Sequence, residues 1–96
     1  MIFSPVAVDD TAGGTVVLAG SNSAKFRSIV IQNPTGNNDV ALAFDDGDEA
    51  LTFANGLLLK AGMERVIDCH KGAFTNDVLA ICDTGGAATL RVHGIE

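Results

Sequence analysis

The chain has 96 residues, 47% of them apolar, with Lys+Arg 6 against Asp+Glu 12 and a formal net charge of −6. That length makes one domain, and a domain of this size buries roughly two thirds of its unfolded surface, so a core forms without metal or disulfide staples. The six bases (Lys25, Arg27, Lys60, Arg65, Lys71, Arg91) are scattered, which leaves no positive footprint for nucleic acid and disfavours an anionic membrane surface.

Residues 1–5 (MIFSP) have no basic start, and their apolar stretch is too short for a signal peptide or a membrane span. They read either as an arm that docks on a partner or as a fraying terminus, ahead of a domain spanning 6–96. Val6 and Val8 alternate at period two, and after a loop at 9–14 the run TVVLA (15–19) is a second strand, stopped by Gly20-Ser21-Asn22-Ser23. The third, KFRSIVIQN (25–33), carries β-branched residues on both faces, so both sides look covered. Asn33-Pro34-Thr35-Gly36-Asn37-Asn38 combines Pro, Gly and three Asn in the strongest turn of the chain. It leads into 39–45, where Val40, Leu42 and Phe44 alternate with Ala41 and Ala43, and this predicts a hairpin of 25–33 with 39–45.

Two short strands, 50–53 and 57–60, flank Asn55-Gly56, and 63–69 alternates Met63, Arg65, Ile67 and Cys69 against Glu64, Val66 and Asp68. The run 78–83 (VLAICD) is apolar on both faces, and Gly85-Gly86 then suits a two-residue hairpin turn into 88–93. Turns thus recur about every 8 to 12 residues, and no helix exceeds a turn. The expected fold is an all-β, single-domain antiparallel sandwich of about eight short strands, of jelly-roll or Greek-key type. If 63–69 and 78–83 form a hairpin across the loop 71–77, Cys69 faces Val78 and not Cys82, beyond bridging distance. Both cysteines then read as reduced, buried thiols of a chain made in a cytoplasm.

Candidate chemistry is thin. Asp45, Asp46, Asp48 and Glu49 could offer a calcium ion several carboxylate oxygens. They fail the EF-hand pattern, however, and four adjacent acids on a turn read more simply as a solvated turn. Asp68-Cys69-His70 puts a thiol beside an imidazole, but neighbours on a strand point to opposite faces, which argues against a nucleophilic dyad. His70, His93, Cys69 and Cys82 lack the paired spacing of a zinc knuckle. Gly13-Gly14 enters a strand instead of a helix, so it is no phosphate loop. No catalytic motif occurs, no cofactor is called for, and the chain does not read as an enzyme. Trp and Tyr are both absent, which disfavours a lectin-like or peptide-binding surface.

An apolar surplus remains. Ile29-Val30-Ile31, Leu57-Leu58-Leu59 and Val78-Leu79-Ala80-Ile81 are apolar on both strand faces, whereas a two-layer sandwich buries one face of each sheet. The second face needs a cover, and with so little loop to spare a neighbouring subunit is the economical one. Met1, Ile2, Phe3, Ile29, Ile31, Leu58 and Leu79 are the expected contact residues.

The order Gln32-Asn33-Pro34, Val40-Ala41-Leu42-Ala43-Phe44, Asn55-Gly56-Leu57-Leu58-Leu59-Lys60-Ala61-Gly62, Val78-Leu79-Ala80-Ile81 and Ala88-Thr89-Leu90-Arg91-Val92 resembles small β-sandwich virion proteins of tailed bacteriophages, especially head decoration (cement) proteins. The resemblance spans about two thirds of the chain. It implies a non-enzymatic, trimeric subunit on the capsid surface that clamps neighbouring copies of the major capsid protein. A tail, fibre-base or head-fibre module, and a small carbohydrate- or ligand-binding β domain, are the alternatives.

Overall fold

Alternating apolar residues broken by glycine and asparagine turns leave the chain little choice but short strands. In the computed structural model, which describes residues 1–44, 49–70 and 75–96, these are β1 (Val6–Val8), β2 (Thr15–Leu18), β3 (Ser28–Asn33), β4 (Val40–Ala43), β5 (Leu57–Leu59), β6 (Met63–Asp68), β7 (Val78–Cys82) and β8 (Ala88–Ile95). The helix α1 is a single turn at Gly20–Ser23.

The strands form two four-stranded antiparallel sheets, ordered β1-β8-β3-β6 and β2-β7-β4-β5. Two interleaved Greek keys of this order are a jelly roll. Consecutive strands therefore change sheets at every connection except β4 to β5. This corrects three pairings expected from the sequence. β3 bonds to β6 and β8 instead of β4. β6 and β7 lie in different sheets, so Cys69 and Cys82 share no hairpin; both are free and buried. Gly85-Gly86 ends a turn, with Gly86 N donating to Asp83 O at 2.8 Å, that carries the chain across the sandwich. Residues 50–53 form no strand at all.

The inward faces supply Val8, Leu18, Phe26, Ile29, Ile31, Val40, Leu42, Leu59, Val78, Leu90 and Val92 to one core. β8 shows the simplest pattern, strictly alternating buried and exposed over eight residues. In β2 the register slips between Val16 and Leu18, and this bulge lets Val17 and Leu18 both turn inward. Gly94 sits under the Phe26 ring, where a Cβ would meet ring carbons at 2.6 Å. Phe26 in turn meets Phe3 edge-on, with centroids 5.7 Å apart.

One buried polar side chain ties the strand ends together. Asn33 is fully enclosed; its Nδ2 donates to Asn38 O (3.0 Å) and Leu59 O (3.1 Å), and its Oδ1 accepts from Asn37 Nδ2 at 3.0 Å. Asn37 Nδ2 also reaches Thr89 O, and Asn38 Oδ1 accepts from Ala87 N. The turn read from the sequence as punctuation is thus a polar clasp joining β3, β5 and β8, each buried group satisfied.

Candidate interaction surface

The two outer faces of the sandwich are built differently. On the β2-β7-β4-β5 sheet, Ala41, Ile81, Ala43 and Leu79 form a second apolar layer outside the main core. The connection from β4 to β5 returns over this layer and seats Leu51 on Ala41 and Ile81, with Phe53 beside them. Leu51 is 5% exposed and Ile81 6%. Thr52 N donates to Asn55 Oδ1 and Asn55 Nδ2 to Ala50 O, which fixes the shape of residues 50–55. Gly56 is required beneath it, because a Cβ there would fall 2.7 Å from Leu51 Cδ1 and 2.8 Å from Ala41 Cβ. The surplus on β4 and β7 is therefore covered within the chain, which corrects the expectation of too little loop. Leu79 is half-buried against this layer.

The β1-β8-β3-β6 sheet has no such cover among the described residues. Its registers place His93, Val30 and Val66 in one row across β8, β3 and β6, with Ile2 bridged to His93 at its end, and Arg91, Gln32 and Glu64 in the next. Arg91 donates to Gln32 Oε1 at 3.3 Å. Ile29 and Ile31 are fully buried inward residues, so their expected place in a contact is corrected: only Val30 of that run faces out.

Residues 1–3 lie along β8 of the same chain. Met1 N donates to Gly94 O at 2.7 Å, Gly94 N donates back to Met1 O at 2.8 Å, and Phe3 N donates to Val92 O at 3.0 Å. Phe3 packs against the core, while Met1 and Ile2 remain 66% and 77% exposed. The segment expected to dock on a partner is docked on its own sheet.

Exposed large apolar side chains gather at two opposite edges. Leu57, Leu58, Met63 and Val66 lie on the β5/β6 edge, and Met1, Ile2, Val16 and Ile95 lie on or beside the β1/β2 edge. Leu58, Met1 and Ile2 were legible as contact candidates; Val16, Leu57, Met63, Val66 and Ile95 were not singled out. Val66 carried a usable signal, an apolar residue between Glu64 and Asp68 on the charged face of its strand.

Elsewhere the arrangement offers little chemistry. Cys69 is enclosed, and burial, followed by the Asp68 carboxylate, pushes its thiol up from the ordinary value. The same is true of Cys82, by burial and then by Asp9 and Asp10. Neither thiol is a ready nucleophile. His70, on a left-handed backbone (φ 48), points into solvent with Nδ1 3.6 Å from Asp68 Oδ1. His93 is on the outer face and both thiols are inside, so the four zinc candidates do not converge. Among the described residues no three His, Cys, Asp or Glu side chains gather as metal ligands. Asp45, Asp46 and Asp48 lie outside the described residues; Glu49 is exposed. A shallow depression lined by Asn38, Asp39, Phe53, Asp83 and Thr84 opens between loops and presents no nucleophile with a base. None of the helical residues described forms a segment long and apolar enough to cross a membrane. In comparison with known proteins, no family model matches this chain and no curated protein matches it.

Proposed function

We propose that this chain is a non-enzymatic structural subunit of a virion, a decoration subunit that binds and stabilises the major capsid protein lattice of a tailed bacteriophage. In this reading it works as a homotrimer on the capsid surface and is made in the cytoplasm of the bacterial host. The observation that supports the reading is the distribution of apolar surface. The sandwich satisfies its own core and covers one outer face, yet among the described residues eight large apolar side chains stay exposed on or beside opposite edges. Paired edges suit a subunit built into an assembly, where contacts that are weak singly become strong together. The expectation drawn from the resemblance agrees with this, and the enclosed thiols and solvent-facing histidines offer no competing chemistry.

The test is addition of the purified chain to capsid shells that lack it, assembled from the major capsid protein encoded in the same genome. Saturable co-sedimentation is expected, with new density at three-fold positions in a cryo-EM map. A chain that stays in the supernatant at every concentration, or that maps to the tail, defeats the reading.

A further inference from the structure

We infer that copies of this chain join head to tail: the β6 edge of one copy pairs with the Met1–Phe3 segment of the next, continuing the β1-β8-β3-β6 sheet from subunit to subunit. Backbone geometry, side-chain chemistry and charge each point to the same register.

The backbone argument comes first. In an antiparallel pair, residues alternate between bonding one neighbour and pointing to the other side. Cys69 N donates to Arg27 O, and the register Ser28↔Asp68 then assigns the odd-numbered residues of β6 to β3. Glu64, Val66 and Asp68 direct their N–H and C=O groups to the open edge. On the opposite edge Met1 and Phe3 bond to β8, which leaves the groups of Ile2 directed outward. Successive antiparallel pairings make the Met1–Phe3 segment and β6 run in opposite senses, so the two edges meet as an antiparallel pair when copies stand side by side. Ile2 and Val66 lie in the same cross-sheet row and on the same outer face. They are the two residues that an uninterrupted sheet would place opposite each other.

The side chains agree. Ile2 is 77% exposed and Val66 62%, each an apolar side chain left in water until the other covers it. In the second sheet the same juxtaposition brings Leu57 and Leu58 of β5 toward Val16 of β2. The charges flanking the contact are complementary: Glu64 and Asp68 bracket Val66, while Arg91 is an outward residue of the strand beneath Ile2. Glu64 and Arg91 occupy one row, so the contact brings the carboxylate edge against the basic side of the next copy. Self-pairing of two β6 edges instead sets like charges against each other, the usual device against indiscriminate edge association. A heterologous contact of this kind closes into a ring when its rotation permits.

This inference deepens the oligomeric part of the proposed function and rests on it only for closure at three copies. The test uses the full chain carrying Ile2→Cys and Val66→Cys together, oxidised with copper phenanthroline at concentrations where light scattering shows association. The native Cys69 and Cys82 are buried and stay out of the reaction. Cross-linked species larger than dimer on a non-reducing gel, a covalent trimer above all, are expected; each single variant is expected to give no ladder. Val66→Glu is expected to return the wild-type mass to that of one 9.9 kDa chain with an unchanged circular dichroism spectrum. A wild-type chain that is monomeric throughout, or a double variant that stops at dimer, overturns the head-to-tail contact. Covalent rings that fail to bind capsid shells support this contact and count against the decoration function.

Discussion

The two outer faces of the sandwich solve one problem in different ways. On the β2-β7-β4-β5 sheet the strands are apolar outside as well as inside, and the β4 to β5 connection lays Leu51 and Phe53 over that excess. On the β1-β8-β3-β6 sheet the outward residues are mainly polar, with Ala7, Val30, Val66 and Ile95 as exceptions, and the described residues lay nothing across it. Apolar residues in a short strand thus do not by themselves announce a partner. They announce a cover, and a loop inside the same chain serves as well as a neighbour. What the described residues leave uncovered lies mainly at the edges.

The sharpest way to break this comparison is at Leu51. Leu51→Ala removes the side chain that seals Ala41 and Ile81, and a loss of about 2–4 kcal/mol is expected, read as a lower midpoint in urea unfolding. A midpoint within error of wild type would mean that the connection is a bystander. Gly94→Ala tests the other sheet from within. Its Cβ would meet the Phe26 ring at 2.6 Å, and overpacking of this kind is expected to destabilise by about 1–3 kcal/mol, with lowered Tm in calorimetry.

The thiols give a pH signature common to both sheets. Cys69 and Cys82 titrate above the ordinary value of 9.0 in the folded chain, so above that pH the unfolded chain holds fewer protons than the folded one. Their stabilising contribution is complete below the unfolded value and is lost as pH rises through the folded values. Denaturation midpoints are expected to fall from about pH 9 upward, and the fall should shrink in Cys82→Ala. The smallest expected effect is on the bare face. Val66→Ser should change the stability of the isolated subunit by no more than about 0.5 kcal/mol, measured at a concentration where wild type is dissociated. A large loss there would mean that the outer face carries hidden packing.

The places where sequence and structure diverge share one cause. Period-two alternation assigns a residue to an inner or outer face, and it did so correctly for Val40 and Leu42. It says nothing about which strand supplies the hydrogen bonds, because every strand offers the same N–H and C=O groups. The expected β3–β4 hairpin and the hairpin at Gly85-Gly86 both assumed that chain neighbours pair, whereas the jelly roll sends them to opposite sheets. The contact candidates erred in the same way. Ile29 and Ile31 looked surplus because β3 is apolar along its length, yet both point into the core and only Val30 faces out.

By itself, the sequence determined the all-β class, a count of about eight strands and the turn at Asn33. Each rests on local chemistry: glycine and asparagine where the chain reverses, and β-branched residues between. Only the tertiary structure decided which strands are partners, that Leu51 closes one face, and that Ile2 and Val66 end up in one row at opposite edges. Those outcomes depend on residues far apart in the chain competing for the same apolar surface. The winner is set by how the two sheets close on each other, which no local pattern records.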